Sequence, residues 1–275
     1  MNTKKIGFIG GGNMASSLIK GLIASGHAQN QLWVSDSNQE TLNALAENLK
    51  VNVSASNIDM VNEVDVVVLA VKPQVLREVA VQISNITRNR KLLVVSIAAG
   101  ISQDSLTEWL GAEVAVVRCM PNTPALVRTG ATALHANINV NDEQKDLAEN
   151  ILRSVGISLW VDHESELDAV TAVSGSGPAY YFLLMEAMEK AAIELGLGEH
   201  TARLLIQQTA LGAAKIALES DETPGQLRQR VTSPGGTTEK AIETFEEGAF
   251  SQLVSKALHA ARDRSIEISK ELGGK

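Results

Sequence analysis

Residues 5–22 read KIGFIGGGNMASSLIKGL. A short apolar run meets three glycines, Gly10, Gly11 and Gly12, and the chain goes on as a helix. Gly10 to Ala15 form a G-x-G-x-x-A pattern. The first glycine permits a tight turn, and the second lets the backbone approach a pyrophosphate. Ala15 allows close helix–strand contact, and the free N–H groups at the helix start favour negative charge. The letters alone are weak evidence, because a strand-to-helix turn without a ligand can look the same. Their place, after the first strand and at the opening of a βαβ unit, makes them a dinucleotide fingerprint.

Outward from that turn, short β-branched runs recur at 5–10, 31–35, 65–71, 92–98, 113–120, 130–136 and 158–162, most of them separated by stretches of helical spacing. Continuous apolar strands between helices predict a parallel sheet covered on both faces. After about residue 163 the strands stop. Leu184, Met188, Ala191 and Leu195 recur at one-face helical spacing. Ala210, Ala213, Ala214 and Ala217 form a small-residue face, and a last long helix ends at glycines. The expected fold class is α/β: an N-terminal Rossmann-type doubly wound sheet at 1–162, then an all-α unit at 163–275. That second unit reads equally as a self-contained bundle or as a dimerisation domain, since several of its helices are apolar over more than one face.

The totals narrow the function. The 275 residues suit two packed units, and a net charge of −8 with no long basic run argues against nucleic acid. No run approaches the ~20 apolar residues of a membrane span. The N-terminal apolar stretch is too short for a signal peptide. The single cysteine, Cys119, forbids an intrachain disulfide and fits a reducing compartment. A cytoplasmic protein is expected. No metal-ligand spacing occurs, so no metal is expected. His27, His135, His163, His200 and His259 lie outside every motif and read as structural or solvent-exposed.

Asp36 lies 26 positions after Gly10, near the place of a carboxylate on the adenosine ribose, which favours NAD. Ser35 and Ser37 flank it, and hydroxyls can bind a 2′-phosphate, so these residues leave the choice open. LAVKPQ (69–74), SIAAG (96–100) and RCMPNTPALV (118–127) put small or rigid residues at three strand ends. AVSGSGPAYYF (172–182) places Pro178 where a helix would begin. VTSPGGTTEKA (231–241) joins glycines, hydroxyls and a helix starting near Thr238 into an anion site that suits a carboxylate or a phosphate. Thr238 is also a candidate for that helix's N-cap.

These motifs, in this order and at these separations, closely resemble the pyrroline-5-carboxylate reductase family from about residue 5 to 270. The pair SGSGPAY and SPGGTT carries most of the likeness. The resemblance implies a Rossmann domain and a helical domain that interlocks with its twin, in homodimers often gathered into decamers. It implies reduction of a small cyclic imino acid to proline by hydride transfer from NADPH, with NADH as the alternative. Nucleotide contacts would come from Ile9, Gly10, Gly11, Gly12, Asn13 and Met14, with Ser35, Asn57, Ala70, Val71, Lys72, Pro73, Ile97, Ala98 and Ala99. Asp36 joins them by position and departs from the NADPH-favouring pattern. Substrate contacts would come from Ser233, Gly235, Gly236, Thr237 and Thr238, with Glu164 nearby and Thr238 in the catalytic role. A β-hydroxyacid dehydrogenase is a competing enzyme reading, with Lys190 or Lys215 as acid/base. A dinucleotide sensor without chemistry is a competing reading of another class.

Overall fold

The computed structural model describes residues 4–273. The described chain divides into two compact units, one of residues 4–176 with 260–273 and one of residues 177–259. The helical stretch expected to begin at 163 is therefore divided. Residues 163–176 and 260–273 pack with the sheet, because both carry side chains that bond or bury against it.

In the first unit, strands β1 (Ile6–Ile9), β2 (Leu32–Ser35), β3 (Asn52–Ser54), β4 (Val66–Leu69), β5 (Leu93–Ser96), β6 (Ala115–Met120), β7 (Gly130–Ala136) and β8 (Gly156–Trp160) form one sheet. Their order is β3-β2-β1-β4-β5-β6-β7-β8. Helices α1 (Asn13–Ala24), α2 (Gln39–Leu49), α3 (Asn57–Glu63), α4 (Pro73–Arg90), α5 (Gln103–Leu110), α6 (Asp142–Arg153) and the short α7 (Glu166–Val170) connect and cover it. The strand order reverses between β1 and β4, which is where a doubly wound sheet opens its ligand crevice.

Alternation along the strands feeds two cores. Ile6, Phe8, Leu32, Val34, Val66 and Val68 pack with Leu18 and Ile19 of α1 and Ile151 of α6. Ile9, Val67, Leu69, Val94 and Val116 pack on the opposite face with Met60 of α3, Leu76 and Ile83 of α4, and Leu106 of α5. Both faces are buried, so the strands read as unbroken apolar runs.

Two details correct the sequence expectation. β7 runs antiparallel to β6. Only the 3₁₀ turn Thr123–Val127 and its flanks join them, and a parallel pairing needs a crossover of a dozen or more residues. β3 was not expected at all: it has three residues, none of them fully buried, at the sheet edge, and so leaves no apolar signature.

A π-helical turn at Thr171–Gly175 leads to the second unit. Its helices are α8 (Gly177–Glu194), α9 (Glu199–Glu219), α10 (Pro224–Arg230), α11 (Thr237–Glu247) and the first part of α12 (Phe250–Gly273). Pro178 sits at the start of α8, where its missing N–H is no loss. Thr223 and Gln226 close a capping box on α10. Of residues 177–259 only Gly177, Ala202 and Ile206 are buried, while Leu195 is 86% and Leu218 84% exposed. Leu184 and Met188, on the face picked out by helical spacing, are exposed as well. A unit with so little core cannot be a self-contained bundle; its apolar faces require another chain.

Candidate active site

Strand register builds a candidate nucleotide rim in the first unit. Ile9 is level with Ser35 on one side and with Leu69 on the other, and Leu69 is level with Ser96. The residues that follow these four therefore share the carboxyl edge of the sheet. Backbone bonds tie them together: Gly10 N–H to Ser35 O at 2.8 Å, Ala70 N–H to Ile9 O at 2.8 Å, and Ile97 N–H to Leu69 O at 3.1 Å. The structure thus brings the expected nucleotide residues of three separate motifs to one rim.

The glycine turn fits a pyrophosphate. Gly10 has φ +99°, and a Cβ on it would lie 2.8 Å from the Ala70 carbonyl oxygen. Only glycine fits there without strain. Gly12 is exposed, and a Cβ on it would meet nothing within 4 Å, so space lies open in front of it. Gly12 is also the N-cap of α1 and carries no side chain that could satisfy the first N–H groups. An anion can take their place.

Ser35 is fully buried and donates its hydroxyl to Asn57 Oδ1 at 2.8 Å, and Asn57 Nδ2 donates to Gln82 Oε1 at 2.9 Å. Two polar residues expected among the nucleotide contacts therefore hold each other. Lys72 is the exposed N-cap of α4, with Pro73 at its first turn. Asn122, in the MPNTP run, donates to the carbonyl and hydroxyl of Ser174 at 3.2 Å and accepts from Ala131 N–H at 2.9 Å. It joins that loop to the SGSG segment, a link that sequence reading missed because nothing in the spacing of 122 and 174 announces it.

Glu164 is engaged within the first unit. Its Oε1 accepts from Arg118 Nη1 at 2.7 Å and from Gln103 N–H at 2.5 Å. The Arg118 side chain is 7% exposed and that of Glu164 25%. Arg118 was the other residue missed, since a lone arginine inside an apolar strand gives no sign of its partner 46 positions away.

A second candidate motif lies in the helical unit. Gly235 adopts φ +71°, a left-handed turn that favours glycine. Its N–H donates to Glu239 Oε2 at 2.7 Å. Gly236 is the N-cap of α11, without a side-chain cap, so Thr237 and Thr238 are the first two helical residues. The N-cap reading of Thr238 is therefore corrected by two positions: the glycine is better suited to the extended N-cap backbone beside Ser233, whose carbonyl lies 2.9 Å from where a Cβ on Gly236 would sit. First-turn N–H groups have no intrahelical partner. The turn thus already holds one carboxylate, from its own chain, and has further donors beside it.

The remaining candidates lie on exposed surface or are buried. Lys190 and Lys215 each pair with a glutamate one turn away, Glu186 and Glu219, on exposed helix surface. His163, His200 and His259 are exposed. His27 is buried, and that burial holds its pKa below the ordinary value against an opposing hydrogen bond to the Lys4 backbone. Cys119 is buried, which pushes its thiol pKa up. Among the described residues no group of three or more His, Cys, Asp or Glu could hold a metal ion. No helix among them is long and apolar enough to cross a membrane.

The reversed sheet, the glycine turn and the rim of strand ends define a Rossmann-type dinucleotide-binding oxidoreductase with a helical association unit. A family profile described as pyrroline-5-carboxylate reductase dimerisation matches residues 164–268, and one described as NADP oxidoreductase, coenzyme F420-dependent, matches residues 5–100. The chain is 51% identical over 273 residues to the pyrroline-5-carboxylate reductase of Pseudomonas aeruginosa, covering 99% of this chain and 100% of the other. Its fold superposes on a pyrroline-5-carboxylate reductase from Coxiella burnetii with TM-score 0.94 at 48% identity, covering 98% and 100%. It superposes on Plasmodium falciparum pyrroline carboxylate reductase with NADP bound with TM-score 0.87 at 31% identity, covering 98% and 99%. The chain belongs to the pyrroline-5-carboxylate reductase family.

Proposed function

We propose that this chain reduces 1-pyrroline-5-carboxylate to L-proline, with NADPH as the donor and NADH as the alternative. The observation that carries the substrate class is the Ser233–Thr238 turn, a helix N-terminus without a side-chain cap whose first-turn N–H groups at Thr237 and Thr238 have no intrahelical partner. Bound reduced nicotinamide supplies the hydride. The protein's part is binding and alignment. Ile9 to Met14 hold the pyrophosphate at the start of α1. Asp36, Ser35 and Asn57 form the ribose end, and Ala70 to Pro73 with Ile97 to Ala99 line the rim beyond.

The substrate carboxylate takes the N–H groups of Thr237 and Thr238 at the start of α11, beside Gly235 and Gly236, with Ser233 and Thr237 supplying hydroxyls. The Thr238 hydroxyl hydrogen-bonds the ring nitrogen as its charge changes. A protonated imine is already electrophilic, so no strong general acid is needed, which agrees with motifs that contain no histidine. The working assembly is a homodimer formed through the helical unit, and dimers gather into a decamer. The exposed leucines of that unit support the dimer, and the resemblance supports the decamer. The single cysteine supports a cytoplasmic location.

The direct test follows loss of reduced-nicotinamide absorbance with 1-pyrroline-5-carboxylate, with NADPH and NADH in parallel. Turnover is expected with NADPH. Dinucleotide binding with no turnover from either donor would sink the reductase and leave a sensor. Thr238→Ala should lower kcat/KM by up to ~10²-fold while the NADPH Kd stays the same. An unchanged kcat/KM would move the role to Thr237 or to water.

A further inference from the structure

We infer that Ile268 is a positioning residue for the nucleotide rim, and that the last turns of α12 are the backstop of the segment Ile97–Gly100. The inference rests on the reading of Ile97 to Ala99 as cofactor-lining.

That segment has little means of holding its own shape. It consists of Ile97, two alanines and a glycine; Ala98 is buried, Ala99 is exposed, and Gly100 is buried. On one side Ile97 N–H is tied to Leu69 of β4. On the other side Gly100 turns back at φ +73°, and a Cβ there would lie 2.5 Å from Ile268 Cγ2 and 3.6 Å from Leu272 Cδ1. The Ile268 methyl therefore occupies the place where any other residue at 100 would put its side chain.

The helix end is itself anchored. Ser265, buried, donates its hydroxyl to Asp168 Oδ1 at 2.7 Å. Leu272 packs on the core beneath α5, and a Cβ on Gly273 would come within 3.0 Å of Ser105 Oγ. Just past the turn, Gln103 N–H is fixed by Glu164. Ile268 is the nearest side chain behind this left-handed glycine, with Leu272 next to it, so shrinking Ile268 opens space into which the turn shifts. The rim then moves relative to the nucleotide it lines.

The test measures the NADPH Kd of the full-length oligomer by calorimetry, for wild type, Ile268→Ala, Ile268→Val and Leu147→Ala. Leu147 lies on α6 near Lys4, Asp65 and Leu93, at the amino ends of the strands, and gives a cavity away from the rim at their carboxyl ends. Amide exchange of residues 97–102 is followed with and without NADPH. Ile268→Ala should weaken NADPH by about three- to thirtyfold, the range over which residues that touch no ligand modulate binding. Ile268→Val should restore most of it, and Leu147→Ala should leave Kd within about twofold of wild type despite a lower Tm. If Ile268→Ala does not fold, Ile268→Val must still weaken NADPH measurably while its Tm stays near wild type. Equal Kd for wild type and both Ile268 variants, or an equal loss in Leu147→Ala, overturns the inference. NADPH that leaves exchange at 97–102 unchanged in wild type overturns the reading of the rim instead, and the inference falls with it.

Discussion

Gly11 donates its backbone N–H to Asp36 Oδ2 at 2.7 Å, and the other oxygen of that carboxylate accepts the Asn38 N–H at 2.8 Å. A full negative charge is thus anchored between the glycine turn and the N-cap of α2. Ser35, one of the two hydroxyls flanking it, points into the protein toward Asn57. No basic side chain lies between 35 and 41 to offset a 2′-phosphate. Asp36→Asn keeps an acceptor and removes the charge. The ratio of NADH to NADPH dissociation constants should move about tenfold in favour of NADPH, equivalent to ~1.4 kcal/mol. Titration of both nucleotides checks this; equal weakening of both would mean that Asp36 only props up the turn.

Two glycines of one turn separate folding from binding. Gly10→Ala meets both a left-handed φ and the Ala70 carbonyl, so it should cost about 1–3 kcal/mol of stability as well as nucleotide affinity. Gly12→Ala meets no protein atom. It should unfold at the wild-type denaturant midpoint yet bind NADPH at least about tenfold more weakly, because its methyl group enters the space left for the pyrophosphate. Denaturation curves and calorimetry on the two variants make the comparison.

Glu164 is the point where a structural role and a substrate role predict different numbers. Glu164→Gln leaves the nearly buried Arg118 without its counter-charge. Breaking a buried pair costs about 3–5 kcal/mol, and the partial exposure of Glu164 puts the loss below that range, near ~2 kcal/mol. The expected outcome is a lower Tm with KM for the imine within about twofold of wild type. A raised KM at unchanged Tm would place the carboxylate on the substrate instead.

His27 should make the fold acid-sensitive. Burial keeps its folded-state pKa below the ordinary 6.5, so the unfolded chain takes up the proton first as pH falls. Its contribution is fully present above about pH 6.5 and is lost progressively as pH drops through that value toward the folded-state pKa. Its Nε2 has no hydrogen-bond partner, so charging it gains nothing in place. Urea midpoints at pH 7.5 and pH 5 should differ more in wild type than in His27→Leu.

What lay in the sequence was whatever depends on neighbours along the chain. The Gly10–Ala15 turn, the apolar runs of β1, β4 and β5, Pro178 at the head of α8 and the bare Ser233–Thr238 turn are each dictated by local backbone needs and by periodicity. Those properties, with the order of the motifs, were sufficient for the α/β class, the family and the candidate residues. The tertiary structure decided what depends on partners far apart in the chain. β7 turned antiparallel because its connection is short. Ser35 turned inward to Asn57, Glu164 found Arg118, and residues 260–273 left the helical stretch to lie behind Gly100. Each is a contact between residues whose spacing has no period, and which side chain satisfies which buried group emerges only once the chain has packed.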